Sequence, residues 1–144
     1  MTTREYLESY QYLEKYILHA EDKLKKITEE VASLQAIDYS KEKIQASPQN
    51  DPIGNLVIEV TREKAVVGMK LIGYRAKKNL IDNQVEKLKD IDPKSYILLY
   101  EIYIAGMGNY NKRMKYSSNR SFYRDLSKAE SLFEKCYGIT YRNL

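Results

Sequence analysis

Side-chain catalysis has few residues to draw on in this chain. It holds one histidine, His19, and one cysteine, Cys136. One imidazole cannot build a His-based metal cluster, and only His19 could be the base of a Ser-His-Asp triad. A lone cysteine excludes an internal disulfide framework and a cysteine-rich zinc site. The carboxylate pairs Glu21-Asp22 and Glu29-Glu30 are adjacent in sequence, so they do not share a helix face and are expected as solvated charges. No strand pattern precedes a glycine-rich run, so no phosphate loop is expected. The reading is therefore no enzyme, no cofactor and no metal.

What remains is a concentration of positive charge. Residues 1–39 carry five Lys/Arg against eight Asp/Glu, a net −3; residues 40–92 carry a net +2; residues 93–144 carry nine against four, a net +5. Within Asn109–Lys128 the basic residues Lys112, Arg113, Lys115, Arg120, Arg124 and Lys128 face only Asp125. A basic rear behind an acidic front suits a polyanionic partner. The alternative is an ordinary solvated helix face.

The elements that would position these charges are helices. Six glycines and three prolines in 144 residues leave few turns. Apolar residues at Tyr6, Tyr10, Leu13, Ile17, Ala20, Leu24, Ile27, Val31 and Leu34 are spaced 4 and 3 in strict alternation, which is a heptad seam. Thr2 and Glu5 form a capping box at its start, and a helix from Thr3 to about Ile37 is expected. Asp38–Asp51 reads as a loop around Ser47-Pro48. Asp51 as N-cap and Pro52 open a second helix with the stripe Ile53, Leu56, Val60, Val67, Leu71, Tyr74, Ile81, Val85 and Leu88. Glu63 and Lys78 interrupt that stripe, as register-setting residues or as sites facing a third element. Gly54, Gly68 and Gly73 weaken the helix or allow a close helix approach.

Asp92 and Pro93 start a third helix over Lys94–Ala105, apolar around much of its surface and closed by Gly106 and Gly108. A short helix fits Asn109–Lys115. Ser117 or Ser118 then caps a last helix to about Tyr137, with Gly138 as its stop. Phe122, Leu126, Ala129, Leu132 and Phe133 fall on one face of that helix. The expected fold is all-α: a long antiparallel helical hairpin over residues 1–92, followed by a small helix-turn-helix-like bundle over residues 93–144, as one continuous unit.

In a helix-turn-helix the last helix lies in the major groove, and its first turns meet base edges. Here Asn119, Arg120, Ser121, Tyr123 and Arg124 occupy those turns and are the candidate base readers, since Arg pairs with guanine and Asn with adenine. Lys112, Arg113, Lys115, Ser118 and Lys128 are the candidate phosphate contacts.

The run LLYEIYIAGMGNYNKRMKYSSNRSFYRDLSKAESLFEK resembles the end of phage late-transcription regulators of the RinA/ArpU/LtrC type. Their C-terminus is similar to sigma-factor region four. Leu98, Leu99, Tyr103, Met114, Tyr116, Ser117, Arg120 and Ala129 carry the resemblance, with the long helical front and the loop QASPQNDPIGNLV. Tyr110 and Asn111 depart from it, standing where an Ile-Ala pair is usual. The resemblance implies a regulator in the cytoplasm of a bacterial host, associated with the nucleoid, that binds double-stranded DNA and controls late genes of a phage or related mobile element.

The competing reading is a helical interaction module that binds RNA polymerase or another regulator protein without touching DNA. Fourteen tyrosines and no tryptophan favour contact surfaces, and Tyr12 and Tyr16 are the candidate partner residues. Their alternative role is packing at the border of the seam. The front hairpin leaves surface unburied, so a homodimer is expected, and two copies would set a half-site spacing. His19 lies off the seam toward solvent, and Cys136 is expected as a small, partly buried thiol. No apolar run reaches a membrane span, and no basic stretch leads an apolar run at the N-terminus, so neither membrane nor secretion is expected.

Overall fold

A computed structural model describes residues 1–40, 51–108 and 116–142. The described elements are α1 (Thr3–Ser40), α2 (Pro52–Ile91), α3 (Pro93–Leu99), a π-helical turn (Tyr100–Ile104) and α4 (Asn119–Arg142). The fold is all-α, with no strand among the described residues. The expected short helix at Asn109–Lys115, with Tyr110, Asn111, Lys112, Arg113 and Lys115, lies outside the described residues.

The chain divides into two compact units, Met1–Lys15 with Ala76–Leu144, and Tyr16–Arg75. Residue 92, the expected division, falls inside the first of these.

In the unit of Met1–Lys15 and Ala76–Leu144, α1 starts with a closed capping box. The Glu5 N–H donates to Thr2 Oγ1 at 3.2 Å, and the Thr2 N–H donates to Glu5 Oε2 at 3.1 Å. Tyr6, Tyr10 and Leu13 are buried as the heptad spacing requires, and Leu7 beside them is fully buried. The end of α2 runs antiparallel to them. Tyr6 donates to Gln84 Oε1 at 2.7 Å and Tyr10 to Asp82 Oδ2 at 3.2 Å. Lys78, the interrupter of the apolar stripe, pairs with Glu14 at 3.2 Å with its ammonium 5.3 Å from the Tyr10 ring centre. A lysine on the stripe is tolerated because its side chain keeps 28% of its surface exposed and its ammonium is paired.

Asp92, in extended conformation, and Pro93 start α3. The α-helix ends at Leu99 rather than continuing to Ala105, and the chain winds on as a π turn whose Ala105 N–H reaches the Tyr100 carbonyl at 2.8 Å. Ser95, Leu98, Leu99, Ile102 and Tyr103 are buried, whereas Ile97 and Tyr100 are 49% and 43% exposed. The segment therefore buries one side, not its whole circumference. Gln11 finishes the turn: its amide donates to the Tyr103 and Ile104 carbonyls at 2.8 and 3.1 Å. Gly106 then takes φ +72, a conformation disfavoured with a Cβ.

In α4 the residues Phe122, Leu126, Ala129 and Phe133 are fully buried. The helix does not stop at Gly138 but runs to Arg142, and Gly138 does not take a positive φ. A left-handed residue is what ends a helix at glycine; without it, glycine is only a poor helix former, at about 1 kcal/mol. Cys136 is exposed, not partly buried. Tyr137, one residue on, takes the ring contact with Phe133, with centres 5.1 Å apart.

In the unit Tyr16–Arg75, α1 and α2 pack antiparallel through Ile17, Ala20 and Ile27 against Val60, Val67 and Leu71, with Leu24, Val31, Leu34 and Tyr74 partly buried on them. The pairs Tyr16–Tyr74, with ring centres 5.6 Å apart, Glu21–Arg75 at 2.7 Å and Lys23–Glu63 at 3.6 Å mark the register. Glu63 is thus an exposed edge partner, not a buried polar residue. Asp51 caps α2, accepting from the Gly54 N–H at 2.9 Å. Gly68 and Gly73 have no neighbouring heavy atom within 4 Å of where a Cβ would sit, so they do not serve a close helix approach. Leu56, expected on the buried stripe, is 41% exposed.

Candidate nucleic-acid interface

The first two turns of α4 carry the candidate base readers, and the helix start is built to hold them. Ser118 is the cap: the Ser121 N–H donates to its Oγ at 3.2 Å, and the Phe122 N–H donates to its carbonyl at 3.2 Å. Its hydroxyl also donates to Ser121 Oγ at 3.1 Å. Phe122 anchors the start, with the rings of Tyr116 and Tyr123 packed edge-on at 5.3 and 5.1 Å. Burial of Phe122, Leu126, Ala129 and Phe133 fixes the rotation of the helix. The opposite side then follows from the 3.6-residue period.

That opposite side is exposed at Asn119, Arg120, Tyr123, Arg124 and Lys128. Arg120, Arg124 and Lys128 form one line at i, i+4 and i+8, about 12 Å long at 1.5 Å per residue. Asn119 and Tyr123 flank it. Ser121 differs from its companions: it is half-buried and its hydroxyl is engaged by Ser118. Of the phosphate candidates, Ser118 and Lys128 are exposed, and Lys112, Arg113 and Lys115 lie outside the described residues.

The packing of α3 on α4 adds a cation that spacing alone did not suggest. Lys94 reaches Asp125 at 3.2 Å, and Arg124 lies 3.9 Å from the same carboxylate. Asp125 is only 16% exposed, so the one acid in the basic run is turned toward α3. Beside it, the Ser95 hydroxyl, donating at 2.7 Å, and more weakly the charge of Lys128 hold the Asp92 carboxyl below the usual aspartate range. The signal for Lys94 was its place just after the Asp92-Pro93 start. Its partner, however, is thirty-one residues away and becomes visible only when the helices cross.

The partner candidates stand elsewhere. Tyr12 is 57% exposed, with Lys15 over its ring at 5.9 Å, and it lines a shallow groove with Glu8, Gln11, Ile102 and Gly106. Tyr16 is 52% exposed and leans on Tyr74. His19 is exposed. No group of three or more His, Cys, Asp or Glu side chains that could hold a metal ion occurs among the described residues. No described helix is long and apolar enough to cross a membrane.

The fold and this surface define an all-α protein with an exposed basic helix face. No family model, no curated protein and no solved structure matches the chain.

Proposed function

We propose that this protein is a sequence-specific DNA-binding regulator of transcription, with α4 as the helix that enters the major groove. One observation carries the reading. Asn119, Arg120, Tyr123, Arg124 and Lys128 share the exposed side of a helix whose other side, Phe122, Leu126, Ala129 and Phe133, is wholly buried. A rigid helix with a polar and cationic outer side is what base reading and phosphate contact require. In this reading Arg120, Arg124 and Asn119 meet base edges, and Lys128 and Lys94 neutralise phosphates. Lys112, Arg113 and Lys115 add charge from the segment before α4. The target is late-gene control in a phage or related mobile element, inside a bacterial host, with no cofactor and no catalytic step.

The test is selection from random duplex DNA with the purified protein, followed by affinity measurement of any enriched site across salt. An enriched motif with a steep salt slope supports the proposal. No motif, with binding that vanishes near physiological salt, overturns it.

Exposure of Tyr12 and Tyr16 favours a second reading, a module that docks on RNA polymerase or another regulator. Tyr12→Ala or Tyr16→Ala would then weaken partner capture, while Arg120→Ala and Arg124→Ala would leave it unchanged.

A further inference from the structure

Within the unit Tyr16–Arg75, α2 is apolar on two opposite sides. One side packs on α1 through Val60, Val67 and Leu71, which are 4–6% exposed. The other holds Ile58, Ala65, Val66, Met69, Ile72 and Gly73, all of them exposed. Met69 is 74% exposed, Ile72 67% and Ile58 58%. Ile58, Arg62, Ala65, Met69 and Ile72 are spaced 4, 3, 4 and 3, so this is a second heptad seam with a single charged member. Ile58, Ala65, Met69 and Ile72 each precede a residue of the buried seam by two positions, which is about 200° around the helix. Monomeric proteins rarely expose a contiguous apolar patch beyond a few hundred Å². A seam with this spacing fits the side of another helix.

We infer that this face is the interface between two copies of this chain, paired antiparallel about a two-fold axis. Charge selects both the occupant and the direction. Parallel pairing would hold Glu59 and the partner's Lys70 eleven residues, about 16 Å, apart along the axis, out of each other's reach. Reversed pairing sets Arg62 beside the partner's Ala65 and Met69 against the partner's Ile58. It also brings Glu59, exposed at the edge of the face, within reach of the partner's Lys70, twice by symmetry. Each strip is about 20 Å long, and two of them bury an area near or below the roughly 1,000 Å² that marks the small end of specific interfaces. The dimer is therefore a concentration-dependent one, with a dissociation constant of roughly micromolar to a hundred micromolar. It stands apart from the DNA-binding proposal, and failure of either leaves the other intact.

Sedimentation equilibrium of the full chain, from about 1 µM to several hundred µM, reads the association directly. Monomer giving way to dimer is expected. Met69→Lys should weaken association at least tenfold with helix content unchanged by circular dichroism; Ile72→Lys, also well exposed, repeats the test should Met69→Lys perturb folding. Glu59→Lys and Lys70→Glu should each weaken the dimer several-fold, and the doubly exchanged chain should recover it. A monomer throughout the range, a dimer indifferent to Met69→Lys and Ile72→Lys, or a double exchange no better than the singles would overturn the inference.

Discussion

The Tyr103 hydroxyl donates a 2.6 Å hydrogen bond to Glu130 Oε1, and the Arg4 guanidinium reaches the same oxygen at 3.3 Å. One carboxylate thus joins the start of α1 and the π turn to α4. The Glu130 side chain is only 14% exposed, so it depends on these partners for solvation. Tyr103→Phe removes one of them and is expected to cost about 1–3 kcal/mol in urea unfolding.

The same contact makes stability sensitive to alkali. Burial, reinforced by Glu130, pushes the Tyr103 hydroxyl well above the ordinary tyrosine value. Burial and Asp82 do the same to Tyr10. In the unfolded chain both phenols ionise near pH 10, but in the folded chain they stay protonated. Their contribution is whole below that pH and falls as pH rises toward the folded values. The urea midpoint should therefore decline from about pH 10 upward, and less steeply in Tyr103→Phe. Equal slopes in the two proteins would refute this origin.

Gly106 sits at φ +72, and a Cβ there would lie 3.3 Å from the Gln11 amide that satisfies the Tyr103 and Ile104 carbonyls. Gly106→Ala is expected to cost about 1–2 kcal/mol from the left-handed conformation alone. Thermal melting checks it, and a neutral result would mean that the turn can take another conformation.

Gly68 is the opposite case. It lies inside α2 with nothing within 4 Å of a built Cβ. Gly68→Ala should raise stability by about 0.5–1 kcal/mol, because the unfolded chain loses freedom and the helix gains a better former. A loss of stability would show a neighbour closer than the geometry allows.

On the DNA-binding proposal, Arg124→Ala should cost about 1–3 kcal/mol at a selected site, and Lys128→Ala should weaken all sequences alike and lower the salt slope by about one. Asp125→Asn is informative in the other direction. It removes the acid that engages Lys94 and Arg124 and should raise non-specific affinity. Binding indifferent to all three would move the candidate surface away from α4.

Much of the helical scaffold was legible because its determinants are local. The heptad seam of α1, the Thr2–Glu5 box, the Asp51 and Ser118 caps and the buried face of α4 each depend on residues three or four apart. The exposed side of α4 followed from the buried one. The second seam of α2 was also present as spacing, at Ile58, Arg62, Ala65, Met69 and Ile72. A helix apolar on both sides shows no single stripe, and Arg62 breaks the run.

The sequence by itself determined that the chain is helical and where α1 turns its apolar seam, since both follow from the 3.6-residue period acting over a few residues. It did not determine that α3 passes into a π turn at Tyr100, that α4 continues through Gly138, or that Cys136 is exposed. Nor did it join Arg4 to Glu130 across 126 residues, or Lys94 to Asp125. Those were decided by tertiary packing. Which polar groups meet depends on where one helix crosses another, and that is set by the summed fit of many side chains rather than by any local pattern.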